Sequence, residues 1–237
     1  MGAPSSPVWP RGFPLTLIKD DKVSTAAPEI SSLPSSQVAV VQSLANHDPD
    51  IDAIYRLTMP LPFDFPKAPA ATQKTEDYYP IAAPDNLYAP YNAQATLHLY
   101  SSLWSLLLPI TVHGRVSDIW RGYFMQKVCK AIGLKLLFAP PIVKQDRNDH
   151  SYLADFQSEL PLYLRTPKLL DQLSAFDFKS TENEYPAAAK SLPGMIEHLW
   201  VEMYERGYIE IKDVRLVQAW LESLLLVGYK FPDAPVV

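Results

Sequence analysis

One cysteine in 237 residues, Cys129, leaves no partner for an intrachain disulfide and excludes paired-cysteine metal or redox motifs. Its place between Val128 and Lys130 in a helical pattern predicts a buried structural thiol rather than a nucleophile. Long hydrophobic runs are also missing. Apolar runs such as 106–112 and 224–227 fall far short of the roughly 18 residues a membrane span needs, and no signal-peptide pattern is present. No Asn-x-Ser/Thr acceptor occurs. Basic clusters are absent and the net charge is −5, which argues against a nucleic-acid partner, because phosphate binding depends on grouped Lys and Arg. Glycine is scarce at eight residues, and only Gly2 and Gly12 precede residue 90.

Proline is plentiful instead. Fourteen of the 23 prolines lie within residues 1–90. Proline fixes φ and removes a donor, so this region is expected to be loops, short strands and turns. A short helix is expected over 37–44, stopped by the Asn46-His47-Asp48-Pro49-Asp50 turn. Residues 51–57 are expected to start as a turn and continue as a strand, and 60–84 to form a long surface loop.

From Tyr91 the texture becomes regular. Leu99, Leu103, Leu106 and Leu107 recur at helical spacing up to Pro109, and 110–112 reads as a short strand. Ser117 or Asp118 can cap a helix running to about Ile132, with Trp120, Phe124, Val128 and Ile132 on one stripe and Gly133 as its stop. A strand over 134–138, closed by Pro140-Pro141, completes an α/β order. Beyond it the pattern predicts helices over 151–156, 166–176, 193–205 and 213–227. The expected organisation is an α/β part over 1–150 and a helical subdomain over 151–237 packed on it. With 48% hydrophobic and 20% charged residues, the chain suits one large domain or a domain with an appendage.

Several blocks resemble one family. Arg115-Val116-Ser117-Asp118-Ile119-Trp120-Arg121-Gly122-Tyr123, with Tyr91-Asn92-Ala93-Gln94 and Thr96-Leu97-His98, is similar to the STELLO-type glycosyltransferases. So are Asp48-Pro49-Asp50-Ile51-Asp52-Ala53-Ile54-Tyr55-Arg56-Leu57-Thr58 and Trp9-Pro10-Arg11-Gly12-Phe13-Pro14. A more distant resemblance is to the reversibly glycosylated polypeptides, the UDP-arabinopyranose mutases. There an Arg-Gly-Tyr-Pro stretch carries a glycosylated arginine, and Arg11-Gly12-Phe13-Pro14 stands at the matching place.

The resemblance implies the C-terminal portion of a GT-A-like nucleotide-sugar fold and, for such a family, Golgi membranes. It implies a divalent metal, Mn²⁺ or Mg²⁺, held by an Asp-x-Asp motif in the half of the fold that precedes Arg11. The expectation is therefore a C-terminal portion or a shortened chain, with the metal bound only in a full-length relative and no activity in isolation. Asp48, Asp50 and Asp52 alternate as oxygen ligands can, but Pro49 places them in a turn; they read as a solvated acidic turn, with metal binding the rarer alternative.

Asp118 is the candidate catalytic carboxylate, as a base or as the group that orients an acceptor hydroxyl; its bland alternative is a helix N-cap. Arg115 and Arg121 are candidates for the diphosphate, against structural ion pairs. Trp120 is a candidate sugar-stacking ring, against core packing. Arg11 is a candidate through resemblance alone. His98 and His113 lack metal-ligand spacing, and the 144–150 loop follows a strand end, where α/β folds place ligands. The leading expectation is sugar transfer from a nucleotide sugar to a glycan acceptor. The alternatives are a non-catalytic scaffold binding a glycan or protein partner, and a mutase-type reaction resting on Arg11. A clustered pocket of Arg115, Asp118 and Arg121 would favour sugar chemistry, and a buried, paired cluster would favour scaffold use.

Overall fold

The computed structural model describes residues 8–19, 33–65, 81–178 and 191–233. Four strands form one mixed sheet: β1 Val38–His47, β2 Ile81–Ala82, β3 Thr96–His98 and β4 Lys135–Gln145. Their order is β2-β4-β1-β3, with β1 and β4 parallel and the two edge strands antiparallel to their neighbours. Among the described residues the α-helices are α1 Ala53–Thr58, α2 Gly114–Ala131, α3 Tyr152–Ala175, α4 Leu192–Glu205 and α5 Ile211–Leu226.

The helix α2 connects the sheet to the rest. It touches β4 on one side and packs against α3 and α4 on the other, while α4 pairs with α5. One continuous core therefore runs from Val40 and Leu136 through Ile119, Tyr123 and Val128 to Leu169, Leu199 and Val217. Cys129 lies inside it, and burial pushes its thiol pKa up, so it is an inert packing group. The result is an α/β architecture consistent with a partial GT-A-like fold.

Several local expectations fail, each for a physical reason. The expected helix over 37–44 is the strand β1, which is buried along Val38, Ala39 and Val40 between two neighbours. A strand covered on both faces shows no alternation, so an apolar run does not announce its period. The expected strand over 51–57 is the helix α1, fixed by Asp52, whose side chain accepts from the Tyr55 amide at 2.8 Å. Residues 110–112 form a bend rather than a strand. The helix α2 starts four residues early at Gly114 with His113 as its cap, so neither Ser117 nor Asp118 is the N-cap. The expected helices over 151–156 and 166–176 are one helix, α3, with Pro161 and Pro167 inside it. Each proline forfeits a ladder bond, and burial of Leu162, Leu169 and Leu173 offsets that loss. Of the expected surface loop over 60–84, residues 66–80 lie outside the described residues; Phe63 is buried and exchanges backbone hydrogen bonds with His47.

Pro140-Pro141 does not end β4. The register slips here, with Ser43 opposite Ala139 and Ala45 opposite Val143. Ser43 fills the gap: its hydroxyl accepts from the Ile142 amide at 3.2 Å and lies 3.0 Å from the Pro140 carbonyl. A hydroxyl thus replaces the ladder partner two prolines cannot supply. Ser43→Ala is expected to destabilise the fold by about 1–2 kcal/mol in urea unfolding, the cost of an unpaired, part-buried amide.

Candidate functional site

A short N-terminal strap, residues 8–14, lies across the end of α2. Its backbone is fixed at Arg11, whose amide donates to the Asp50 carbonyl at 3.0 Å, and at Gly12, whose carbonyl accepts from the Tyr123 hydroxyl at 2.8 Å. Gly12 has φ +84°, and a Cβ there would sit 2.3 Å from Ile119 Cγ2. Only glycine allows this approach.

The Arg11 guanidinium is fully used. Nε and Nη2 donate to the two Asp50 oxygens at 3.1 and 2.9 Å, and Nη1 and Nη2 donate to the two Asp118 oxygens at 3.0 and 2.9 Å. Nη1 also donates to the Arg115 carbonyl. Burial disfavours the Arg11 charge, but Asp50 and Asp118 outweigh it and hold the pKa above its ordinary value. For Asp50, burial pushes the pKa up and is overcome by Arg11, Arg147 and Arg56, so the carboxyl titrates below its usual range.

The alternating carboxylates are not a solvated turn. Asp48 pairs with Arg56 at 2.5 Å and with Arg147 at 3.5 Å, and Asp50 pairs with Arg11 and Arg147. Asp52 is fully buried and accepts from Trp9 Nε1 at 2.7 Å; burial, against the hydrogen bonds from Tyr55 and Trp9, raises its pKa. Three guanidiniums, Arg11, Arg56 and Arg147, thus face three carboxylates, Asp48, Asp50 and Asp118, and their charges cancel. These oxygens are occupied by cations and amides, and among the described residues no cluster of three His, Cys, Asp or Glu side chains could hold a metal. The residues present do not fit a divalent ion.

Beside the network lies a cleft of about 200 Å³. It opens at the C-terminal half of β1, where open α/β sheets place ligands. Its apolar walls include Pro10, Ile51, Phe65, Tyr91 and Phe138, and its polar groups are Gln42, Ser43, Asp50, Asn92 and Gln94. Gln42 sets the shape of the rim. Its Nε2 donates to the Ser43 and Gln94 carbonyls at 2.8 and 3.0 Å, and its Oε1 accepts from the Asn92 amide and the Thr96 hydroxyl, both at 3.0 Å. Asn92 Oδ1 accepts from the Gln94 amide at 2.8 Å, an Asx turn that closes the loop.

The sequence-selected residues divide. Arg11 and Asp118 meet, although 107 positions separate them, and Ala93 of the rim also donates to Asp118 at 3.2 Å. Arg115 points elsewhere, with Nε on Glu159 at 2.9 Å and Nη2 on Asp155 at 2.7 Å. Trp120 is buried in the core: its Nε1 donates to Thr166 at 3.1 Å and its ring meets Tyr208 edge-on. Arg121 donates to the Ser105 carbonyl at 3.0 Å and lies over the Tyr91 ring. His98, between Ser105 and Arg121, has its pKa lowered to about 4 by burial and by Arg121. From the 144–150 loop, Arg147 joins the network. None of Arg115, Asp118, Trp120 and Arg121 lines the cleft.

Sequence reasoning missed Gln42, Ser43 and Asp50 as cleft residues. Gln42 and Ser43 were hidden in a stretch that reads as helix, whereas Asp50, Asn92 and Gln94 sit in the very blocks that carry the family likeness.

Known proteins bear on this arrangement in two ways. The chain is 28% identical over 225 residues to "Probable glycosyltransferase STELLO2" and 26% identical over 226 residues to "Probable glycosyltransferase STELLO1", both of Arabidopsis thaliana. Each alignment covers 95% of this chain and 27% of the relative, so the chain spans about a quarter of their length. The sequence model of the STELLO glycosyltransferases matches residues 115–235, from the second residue of α2 to beyond α5. Because that match takes in more than half of the chain and its first turn carries Asp118, the anchor of the Arg11 strap, the protein belongs to the STELLO glycosyltransferase family.

Proposed function

We propose that this chain serves sugar transfer from a nucleotide-sugar donor and supplies the part of the site that faces the sugar. The observation that carries the reading is the cleft at the C-terminal half of β1, with one buried carboxylate, a rim of neutral amides and aromatic walls. Membership in a glycosyltransferase family supports a glycan acceptor as the partner of this site. Asp50 faces the cleft and, held ionised by Arg11, can accept a hydrogen bond from a hydroxyl and orient it. Its depressed pKa makes it a weak base, so its part is orientation. Asp118 acts one step back as a positioning residue, by fixing Arg11 and thereby Asp50. No metal step is assigned to these residues, because the guanidiniums that pair with them leave little net negative charge for a divalent cation, whereas Asp50 Oδ2, with one hydrogen bond from Arg11, still has a lone pair for a neutral hydroxyl.

A second reading has its own support. The paired, buried state of the arginines suits a non-catalytic scaffold that binds a glycan or a protein partner. The mutase-type reaction has less: an arginine with all five N–H groups engaged offers no free nitrogen for a sugar.

Calorimetric titration of the folded chain with UDP and UDP-sugars, with and without Mn²⁺, separates the two. Saturable micromolar binding of a UDP-sugar supports a role in transfer. Absence of binding sinks the donor-handling part of the proposal and leaves the scaffold reading.

A further inference from the structure

The cleft's lining contains no lysine, arginine or histidine among the described residues, and its single charged group is Asp50. The neighbouring guanidiniums do not compensate. Arg11 is saturated by Asp50, Asp118 and the Arg115 carbonyl, and Arg56 and Arg147 turn to Asp48, the Pro49 carbonyl and Asp50. A phosphate or carboxylate entering here would meet an existing carboxylate and no free cation, which disfavours it.

The uncharged groups suit a different ligand. Phe65 and Phe138, which line the cleft, give apolar surface of the kind that covers the C–H face of a saccharide ring. Gln94 lines the cleft with a side-chain amide that has no hydrogen-bond partner among the described residues, so it can give and take bonds with hydroxyls. We infer that this cleft is a subsite for an uncharged saccharide ring, one that admits neutral glycosides and discriminates against uronate and phosphorylated sugars. The inference rests on the sugar-transfer reading and deepens it: the diphosphate of a donor is not held here, and the ring that docks is neutral.

The test is amide chemical-shift mapping of the isotope-labelled 237-residue chain with methyl glucoside, methyl galactoside and methyl mannoside, each against methyl glucuronide. The expected result is that at least one neutral glycoside shifts the amides of residues 42–45 and 92–95, and that the glucuronide binds about tenfold more weakly or less. Ala45→Phe, which fills the cleft, is expected to abolish the response. Gln94→Leu, which removes a side chain without bonds in the fold, is expected to weaken it several-fold, and this keeps the test open if Ala45→Phe fails to fold. Equal or tighter binding of the glucuronide, shifts confined to other surfaces, or no glycoside response from the folded chain overturns the inference. The UDP-sugar titration is read separately: donor binding without a glycoside response in the cleft overturns the neutral subsite and spares the role in transfer.

Discussion

Arg11→Ala is expected to lower the stability of the folded chain by about 3–5 kcal/mol at pH 7, the usual consequence of leaving buried carboxylates without their cation. The effect exceeds that of an ordinary surface ion pair, because Arg11 is 5% exposed and bonds to Asp50 and Asp118 at once. The pH dependence distinguishes this cause from lost packing. Asp50 titrates below its unfolded value in the folded protein, so its contribution is present above the unfolded carboxylate pKa of about 4 and disappears as pH falls through the folded value. In the variant that depression is weakened, since Arg147 and Arg56 remain but Arg11 does not. Urea unfolding across pH 7 to 3 is therefore expected to show the gap between wild type and Arg11→Ala closing as pH falls. A gap constant with pH would assign Arg11 a packing role and remove the electrostatic account of the strap. Arg11→Lys keeps the charge but loses the fork that reaches two carboxylates, and its stability is expected to fall between the two.

The same network shows what the sequence could and could not disclose. The helices α4 and α5 were legible within two residues at each end, because their signals are local. Pro193 stands in the first turn of α4 behind the Ser191 cap, Gly207 follows its end, and Val214, Val217, Leu221 and Leu224 mark one face of α5. The strand β1 was not legible, since burial on both sides erases the alternation that would identify it. Nor was β4 beyond Phe138, where continuation depends on a serine hydroxyl 97 positions away. For the site, the residue types and blocks were visible but the pairings were not. Arg11, Asp50 and Asp118 each stood in a block picked out by resemblance, yet nothing local says that one guanidinium satisfies both carboxylates. Asp48 and Asp50 read as solvated because their cations, Arg11, Arg56 and Arg147, arrive from three different segments, and Asp52 because its Trp9 donor lies 43 positions away. Trp120 was legible as core from its stripe with Phe124 and Val128. The region matched by the family model begins at Arg115, so the strap and Asp50 lie outside it and are tied to it through Asp118.

That tie makes Gly12 the most demanding position of the strap. Gly12→Ala is expected to cost roughly 2–5 kcal/mol, from two separable causes. The left-handed backbone at φ +84° penalises any Cβ by about 1–2 kcal/mol. The new Cβ also meets Ile119 Cγ2 at 2.3 Å, and relieving that overlap inside a packed core adds about 1–3 kcal/mol. A double-mutant cycle with Ile119→Ala separates the two. Ile119→Ala alone creates a cavity and is itself destabilising by about 2–5 kcal/mol. In that background the overlap is gone, so Gly12→Ala should cost only the backbone share, and the coupling should be non-additive by 1 kcal/mol or more. Strict additivity would mean that the strap shifts away from α2 at little cost. Arg11 would then be free to leave Asp118, and the Pro10 wall of the cleft would not be fixed by the helix. Coupling of the expected size instead makes the approach of Gly12 to Ile119 the contact that holds Arg11 between its two carboxylates, and through Asp50 fixes one wall of the cleft.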